Sequence, residues 1–282
     1  MRCAWQAYIN LIPVWMRKRV DELGREELQE MRLRLGMPPE LILGGKRIWL
    51  DKPTNSDDLR FCVNMASKYS PWSASGIASG YITAPGGHRV GICGDAVLRN
   101  GNMSGIRTIT SLNIRVARDF PGIGAKASDL PGSILIVGKP GSGKTTLLRD
   151  IIRVRSDKVS EFVAVVDERE EIFPRIGDGI CFPTGRHTDV LTGCSKAAGI
   201  EIVLRNMTPD TIVMDEITAQ EDCDALLRAG WCGVNILATA HAGCRQDLMR
   251  RPIYRPILES GLFDTLVILH PDKTWHSERM NI

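Results

Sequence analysis

Ile134-Leu135-Ile136-Val137-Gly138-Lys139-Pro140-Gly141-Ser142-Gly143-Lys144-Thr145 is the stretch that decides the fold. Four apolar residues of buried-strand length run into a glycine-rich loop ending on Lys-Thr, and Thr145-Thr146-Leu147-Leu148-Arg149 then opens a helix. Glycines let successive backbone N–H groups wrap a phosphate, and the helix N-terminus adds partial positive charge. In this Walker A reading Gly138, Lys139, Pro140, Gly141, Ser142, Gly143, Lys144, Thr145 and Thr146 bind the nucleotide. Lys144 reaches the β- and γ-phosphates, and Thr145 places its hydroxyl on Mg²⁺. ATP and Mg²⁺ are the expected cofactors.

Downstream of the loop, apolar strands alternate with helical patterns, as a parallel sheet with crossover helices requires. Strands are expected at Ser133–Val137, Phe162–Val166, Thr211–Met214, Asn235–Thr239 and Thr265–Leu269. Their unbroken apolar character fits burial on both faces. The fold class is α/β, a P-loop nucleotide hydrolase domain with a smaller α+β domain before it.

Thr211-Ile212-Val213-Met214-Asp215-Glu216 is an apolar strand ending in two carboxylates, the form of a Walker B element. Asp215 is the expected Mg²⁺ ligand beside Thr145, and Glu216 the residue that polarises the attacking water. Strand Phe162–Val166 runs into Asp167-Glu168-Arg169-Glu170-Glu171-Ile172, and Asn235–Thr239 into Ala240-His241-Ala242-Gly243. Ligands in open parallel sheets sit at the carboxyl ends of strands, so both clusters face the nucleotide edge. The blander reading of the acidic cluster is a solvated loop, and of His241 a satisfied core or surface histidine; at a strand end, γ-phosphate sensing is the reading favoured for His241.

Before the loop the pattern is mixed. Up to about Arg60 it reads as mainly helical, with Asp21-Glu22-Leu23-Gly24-Arg25-Glu26-Glu27-Leu28 at helical spacing. Met31–Gly36 alternates like a strand, and Leu41–Trp49 reads as a hairpin turning at Gly44-Gly45. From Gly76 to Arg118 short strands include Tyr81–Thr83, Arg89–Asp95 and Leu112–Ala117. Glycines and prolines between Asp119 and Pro131 mark a boundary, giving an α+β domain at 1–120 and a P-loop domain at 121–282.

The 282 residues have room for one substantial core and a smaller one, and 43% hydrophobic with 24% charged content is ordinary for a soluble chain. A net charge of +3 is too small to point to nucleic acid. The eight cysteines include no C-x-x-C pair, which leaves out a zinc knuckle or dithiol motif and reads as reduced thiols in a cytosol. No apolar run approaches the roughly 20 residues of a membrane-spanning helix. Arg17-Lys18-Arg19 near Trp5 and Trp15 reads as a solvated helix face rather than a lipid contact.

Walker loop, acidic box, Walker B and histidine box, in that order, resemble the type II/type IV secretion superfamily ATPases. More narrowly, Val166–Ile172, Arg186-His187-Thr188-Asp189-Val190-Leu191-Thr192-Gly193-Cys194-Ser195-Lys196, Leu204–Asp210, Gly87–Gly94 and Ser111–Arg118 resemble the stage III sporulation AA branch, over roughly residues 80 to 270. The resemblance implies a RecA-like core in a homo-oligomeric ring, a hexamer, with nucleotide between the two domains. It implies that Arg89 and Arg115 contact phosphate, with Arg205 a similar candidate, against the plain reading of surface arginines. It also implies a water-activating glutamate in the acidic box, where Glu168 is the match, so Glu168 and Glu216 compete as base. Asp215-Glu216 replaces the Gly-Glu usual in secretion motors, and the tetracysteine zinc module of some members is absent, both favouring the sporulation branch.

The implied activity is ATP hydrolysis by a cytoplasmic motor that associates with the membrane through channel proteins of a secretion-like complex, during sporulation. No nucleic-acid partner is expected. The alternatives are a nucleic-acid-dependent P-loop ATPase, for which a dense basic face with interleaved aromatics is missing, and a small-molecule kinase or nucleotide-gated scaffold.

Overall fold

The computed structural model of the protein describes residues 1–68, 80–158, 161–176 and 179–280. Gly76, where the strand-rich stretch is expected to begin, lies outside the described residues. The chain divides into two compact units: Met1–Asp119 together with Pro174–Cys181, and Phe120–Phe173 together with Phe182–Ile282.

In the first unit α1 (Trp5–Leu11) and α2 (Val14–Gly24) precede β1 (Leu28–Arg34), β2 (Glu40–Leu43) and β3 (Lys46–Trp49). Then come α3 (Ser56–Ser67), β4 (Tyr81–Ala84), β5 (His88–Arg99) and β6 (Asn102–Arg115). The strands make one antiparallel sheet in the order β3-β2-β1-β6-β5-β4. One face of it alternates inward through Met31, Leu33, Leu41, Leu43, Val90, Ile92, Leu112 and Ile114, closing a core with Tyr8, Ile12, Met16 and Leu59 from the helices. Asn55 starts α3 with a reciprocal cap: its side chain accepts from the Asp58 N–H at 2.9 Å while Asp58 accepts from the Asn55 N–H at 3.0 Å.

Two expectations for this unit need correction. The helical spacing of residues 21–28 does not continue: α2 stops at Gly24 and Leu28 already belongs to β1. A side chain at Gly24 would crowd the Leu28 Cβ, and the Arg118 guanidinium takes the carbonyls of Gly24, Arg25 and Leu28 at 3.4, 3.0 and 3.3 Å, satisfying groups that a helix end leaves open. The short strands expected at 89–95 and 112–117 are the bases of one long ribbon, which turns at Asn100-Gly101 with φ +51° and +78°. Asn-Gly is the usual signal for such a two-residue turn. The Gly44-Gly45 hairpin forms as expected.

The small ribbon β9 (Arg175–Ile176) and β10 (Gly179–Ile180) counts with the first unit. The second unit contains α4 (Ala125–Ser128), β7 (Ile134–Gly138), α5 (Lys144–Lys158), β8 (Val163–Asp167), β11 (Thr188–Thr192), α6 (Lys196–Asn206) and β12 (Thr211–Met214). It continues with α7 (Gln220–Trp231), β13 (Asn235–Ala240), α8 (Arg245–Arg250), α9 (Arg255–Glu259), β14 (Thr265–Leu269) and β15 (Trp275–Arg279). Its sheet runs β11-β8-β12-β13-β7-β14-β15, parallel throughout except for the last pair. All five expected apolar strands are present within a residue or so of their bounds, and they fill the buried centre. The two strands not anticipated, β11 and β15, are the edges, where half-exposed polar sequences such as Thr-Asp-Val-Leu-Thr carry little apolar signal.

None of the eight cysteines forms a disulfide. Among the described residues no helix is long and apolar enough to cross a membrane.

Candidate functional site

The site lies where β7, β13, β12 and β8 end. The loop from Gly138 to Lys144 needs its glycines: Gly141 and Gly143 adopt φ +73° and +103°, and a Cβ on Gly138 would fall 2.5 Å from the Ser142 hydroxyl. That hydroxyl is buried with no hydrogen-bond partner, an orphan facing the loop interior. From the turn before β15, Lys273 donates to the Gly141 carbonyl and braces the loop from outside.

Lys144 opens α5 with its ammonium folded back into the loop, donating to the Gly138 and Lys139 carbonyls at 3.0 and 3.3 Å. Burial pushes its pKa down from the ordinary lysine value, opposed by the nearby Asp215 and Glu216 carboxylates. A third partner is His241 Nδ1, at 2.8 Å. The other ring nitrogen, Nε2, lies 2.9 Å from Glu216 Oε1. One neutral tautomer serves both contacts, Nδ1 accepting from the ammonium and Nε2–H donating to the carboxylate. Strand order explains the bridge, because β13 lies between β7 and β12 and its end places His241 between the other two.

Asp215 is held on both oxygens. Thr145 donates to Oδ2 at 2.8 Å, and Thr239 donates to Oδ1 at 2.6 Å. The Glu216 N–H also donates to Oδ1 at 3.0 Å, as well as to Thr239 Oγ1 at 2.9 Å. Glu216 itself sits in the left-handed region at φ +39°, an uncommon conformation for a residue with a Cβ. Its carbonyl accepts from Lys196 Nζ at 2.5 Å.

At the end of β8, Asp167 turns inward and accepts from the backbone N–H groups of Glu171, Ile172 and Phe173 at 2.8, 3.0 and 2.8 Å. Burial pushes its carboxyl up to about 6; the three N–H groups work in the opposite direction, and the Asp215 charge adds to the rise. Arg149, buried on α5, holds the carbonyls of the same segment, donating to Ile172 O at 2.5 Å and Glu171 O at 3.2 Å. The acidic cluster is therefore a tethered turn, in which Glu168 is half-buried and Asp167 is committed to the backbone.

The remaining candidates belong to other elements. Arg89 and Arg115 belong to the first unit, in register on β5 and β6; Arg89 stacks over Tyr81 at 4.1 Å, and Arg115 lies 3.7 Å from Glu30 on β1. Arg205 is exposed near the end of α6, where it pairs with Glu201 at 3.1 Å. That helix runs against the strands, so Arg205 is at the sheet edge opposite the Walker loop. Sequence reasoning passed over Thr239, Lys196, Arg149 and Lys273. Thr239 and Lys196 close stretches it did single out, but nothing in their residue type marks an inward orientation.

The donor set suits a magnesium nucleotide: an orphaned Ser142 hydroxyl and glycine-shaped loop for phosphate, and two hard oxygen groups, Thr145 and Asp215, side by side for a divalent cation. Among the described residues, no cluster of three or more His, Cys, Asp or Glu side chains could hold a metal ion.

Comparison with known proteins places this site in a lineage. The family described as "Sporulation stage III, protein AA" matches residues 6–277. Stage III sporulation protein AA of Bacillus subtilis (strain 168) is 36% identical over 270 residues, spanning 90% of this chain and 87% of that protein. Protein SEEDLING PLASTID DEVELOPMENT 1 of Arabidopsis thaliana is 29% identical over 87% of this chain, but only 35% of its own length is covered. Among solved structures, the Legionella pneumophila ATPase DotB matches 95% of this chain and 80% of its own at 18% identity and TM-score 0.56. The pilus retraction motor PilT with bound ADP matches 89% of this chain and 76% of its own at 16% identity and TM-score 0.58. The second unit's sheet thus has the RecA-like arrangement of the secretion ATPases, and the chain itself belongs to the sporulation stage III protein AA family.

Proposed function

We propose that the protein is a Mg²⁺-dependent ATPase working as a homo-oligomeric ring, a hexamer, that drives assembly of or transport through a secretion-like membrane channel during sporulation. The observation that carries this reading is the Lys144–His241–Glu216 chain beside the Thr145–Asp215 pair. In this reading the imidazole links the phosphate-binding lysine to the water-activating carboxylate.

In this reading the N–H groups from Gly141 to Thr146 hold the phosphates, and Lys144 exchanges its carbonyl partners and His241 for phosphate oxygens. Thr145 and Asp215 would hold Mg²⁺, which would supply positive charge to neutralise the phosphates. Glu216, released from His241, orients and deprotonates the attacking water, while His241 is left to meet the γ-phosphate. Glu168 is the competing base, and the tether on its turn keeps it near the same sheet edge. Arg89 and Arg115 neutralise charge developing on the transferred phosphoryl group, as does Arg205 acting on a neighbouring copy. Membership of the family and the fold shared with DotB and PilT support the motor reading. Work at the membrane then occurs through channel partners, with the motor itself on the cytoplasmic side.

The test is ATPase activity of the purified protein against its own concentration, for wild type, Lys144→Ala and Arg89→Ala. Specific activity that rises steeply with concentration and is lost in both variants is the expected result. Activity per chain that stays flat, with Arg89→Ala silent, would transfer support to a monomeric kinase or scaffold.

A further inference from the structure

Lys196 is the first residue of α6, and its side chain is turned inward, with 12% of it exposed. A cation at this end faces the positive pole of its own helix, where acidic residues are favoured, so an unrestrained lysine would swing into solvent. Acceptors hold it in place. Nζ lies 2.5 Å from the Glu216 carbonyl, 3.1 Å from Thr218 Oγ1 and 3.7 Å from Asp222 Oδ2. The first two contacts are hydrogen bonds, and the Asp222 carboxylate is an ion-pair partner beyond hydrogen-bond reach.

What Lys196 grips is the peptide of the residue assigned above as base, and the inference rests on that assignment. Glu216 is held in the left-handed region at φ +39°. Its N–H is fixed by Asp215 and Thr239, and its carbonyl by Lys196. With both ends of the residue tied, the Cα–Cβ direction is set and the carboxylate points to His241. We propose that Lys196 is a positioning residue for hydrolysis, which keeps Glu216 in its left-handed conformation by a charged hydrogen bond to its carbonyl. The alternative is a purely structural role, since Asp222 accepts from the Thr218 and Ala219 N–H groups at the start of α7, so that Lys196 ties α6 to α7.

The experiment separates these roles. Steady-state ATPase kinetics, binding of a fluorescent non-hydrolysable ATP analogue and thermal unfolding are measured for Lys196→Met, Glu216→Gln and the double variant of the full chain. The expected result is that Lys196→Met binds the analogue and keeps KM within about 3-fold of wild type while kcat falls at least about 10-fold, the pattern of a contribution confined to the transition state. The double variant should be no slower than Glu216→Gln alone, because a residue that acts through another has nothing left to act on. Losses that multiply, a change in KM alone or an unchanged kcat would each overturn the proposal. Should Lys196→Met fail to fold, Lys196→Arg serves: its planar fork keeps the ion pair with Asp222 but replaces a tetrahedral donor poorly. A several-fold loss in kcat at unchanged Tm is then expected, and wild-type kcat in that variant overturns the inference. Wild-type hydrolysis in Glu216→Gln would sink the assignment of the base itself; loss there with full activity in Lys196→Met would sink only the role of Lys196.

Discussion

His241 touches Lys144 through one ring nitrogen and Glu216 through the other, at 2.8 and 2.9 Å, so a single imidazole joins the lysine proposed to bind phosphate to the carboxylate proposed as base. Replacing it should separate binding from chemistry. His241→Ala is expected to hold ATP within about 3-fold of wild type and to lose on the order of 10²-fold in kcat, the usual scale for acid–base assistance. Fluorescent-nucleotide titration beside single-turnover hydrolysis checks this; a variant that loses affinity and keeps kcat would contradict it.

Thr239 should matter through Asp215. Its buried hydroxyl donates to Asp215 Oδ1 at 2.6 Å and accepts from the Glu216 N–H, so Thr239→Val leaves both without that partner at unchanged side-chain size. Groups that orient a metal ligand typically contribute 10–100-fold in affinity. The expected outcome is an apparent Mg²⁺ requirement raised by roughly 10-fold in an ATPase titration at fixed ATP, with Lys144-dependent nucleotide binding intact.

Much of this was readable in advance, for reasons that differ by residue. The Walker loop and the five inner strands announce themselves because glycine at positive φ and unbroken apolar runs have few other uses. His241 was readable from its place at a strand end, although its bridging role needed the strand order that sets β13 between β7 and β12. Lys196 and Thr239 were opaque, since a lysine at a helix start and a threonine in a strand ordinarily face solvent or neighbouring side chains. Asp167 and Glu168 depended on a one-residue register, which the three backbone N–H groups at 171–173 decide by drawing Asp167 inward.

Asp167 predicts a pH effect on the stability of the second unit. Its carboxyl titrates at about 6 when folded and near 3.8 when not, so between those values the folded unit holds the extra proton. Stability from this group is complete below about pH 4 and declines as pH rises through 6, by on the order of 3 kcal/mol in all. Chemical denaturation from pH 4 to 7 should show that decline in wild type relative to Asp167→Asn; parallel curves would refute it.

In the proposed ring Arg205, at the end of the sheet away from its own loop, serves the nucleotide of a neighbouring copy. Arg205→Ala and Lys144→Ala proteins, each inactive, should regain hydrolysis on mixing, since roughly a quarter of the interfaces in a randomly mixed ring join two intact halves. Mixtures that stay at the sum of the separate activities would remove Arg205 from the reaction.

The strand that carries the glycine-rich loop acquires both of its neighbours late. β7 pairs with β13 at Asn235–Ala240 and β14 at Thr265–Leu269, and Lys273, which braces the loop, follows β14. On the ribosome, Ile134–Gly138 therefore waits with two open edges while about a hundred further residues are made, a span over which pairing is slow and exposed apolar edges invite association with other chains.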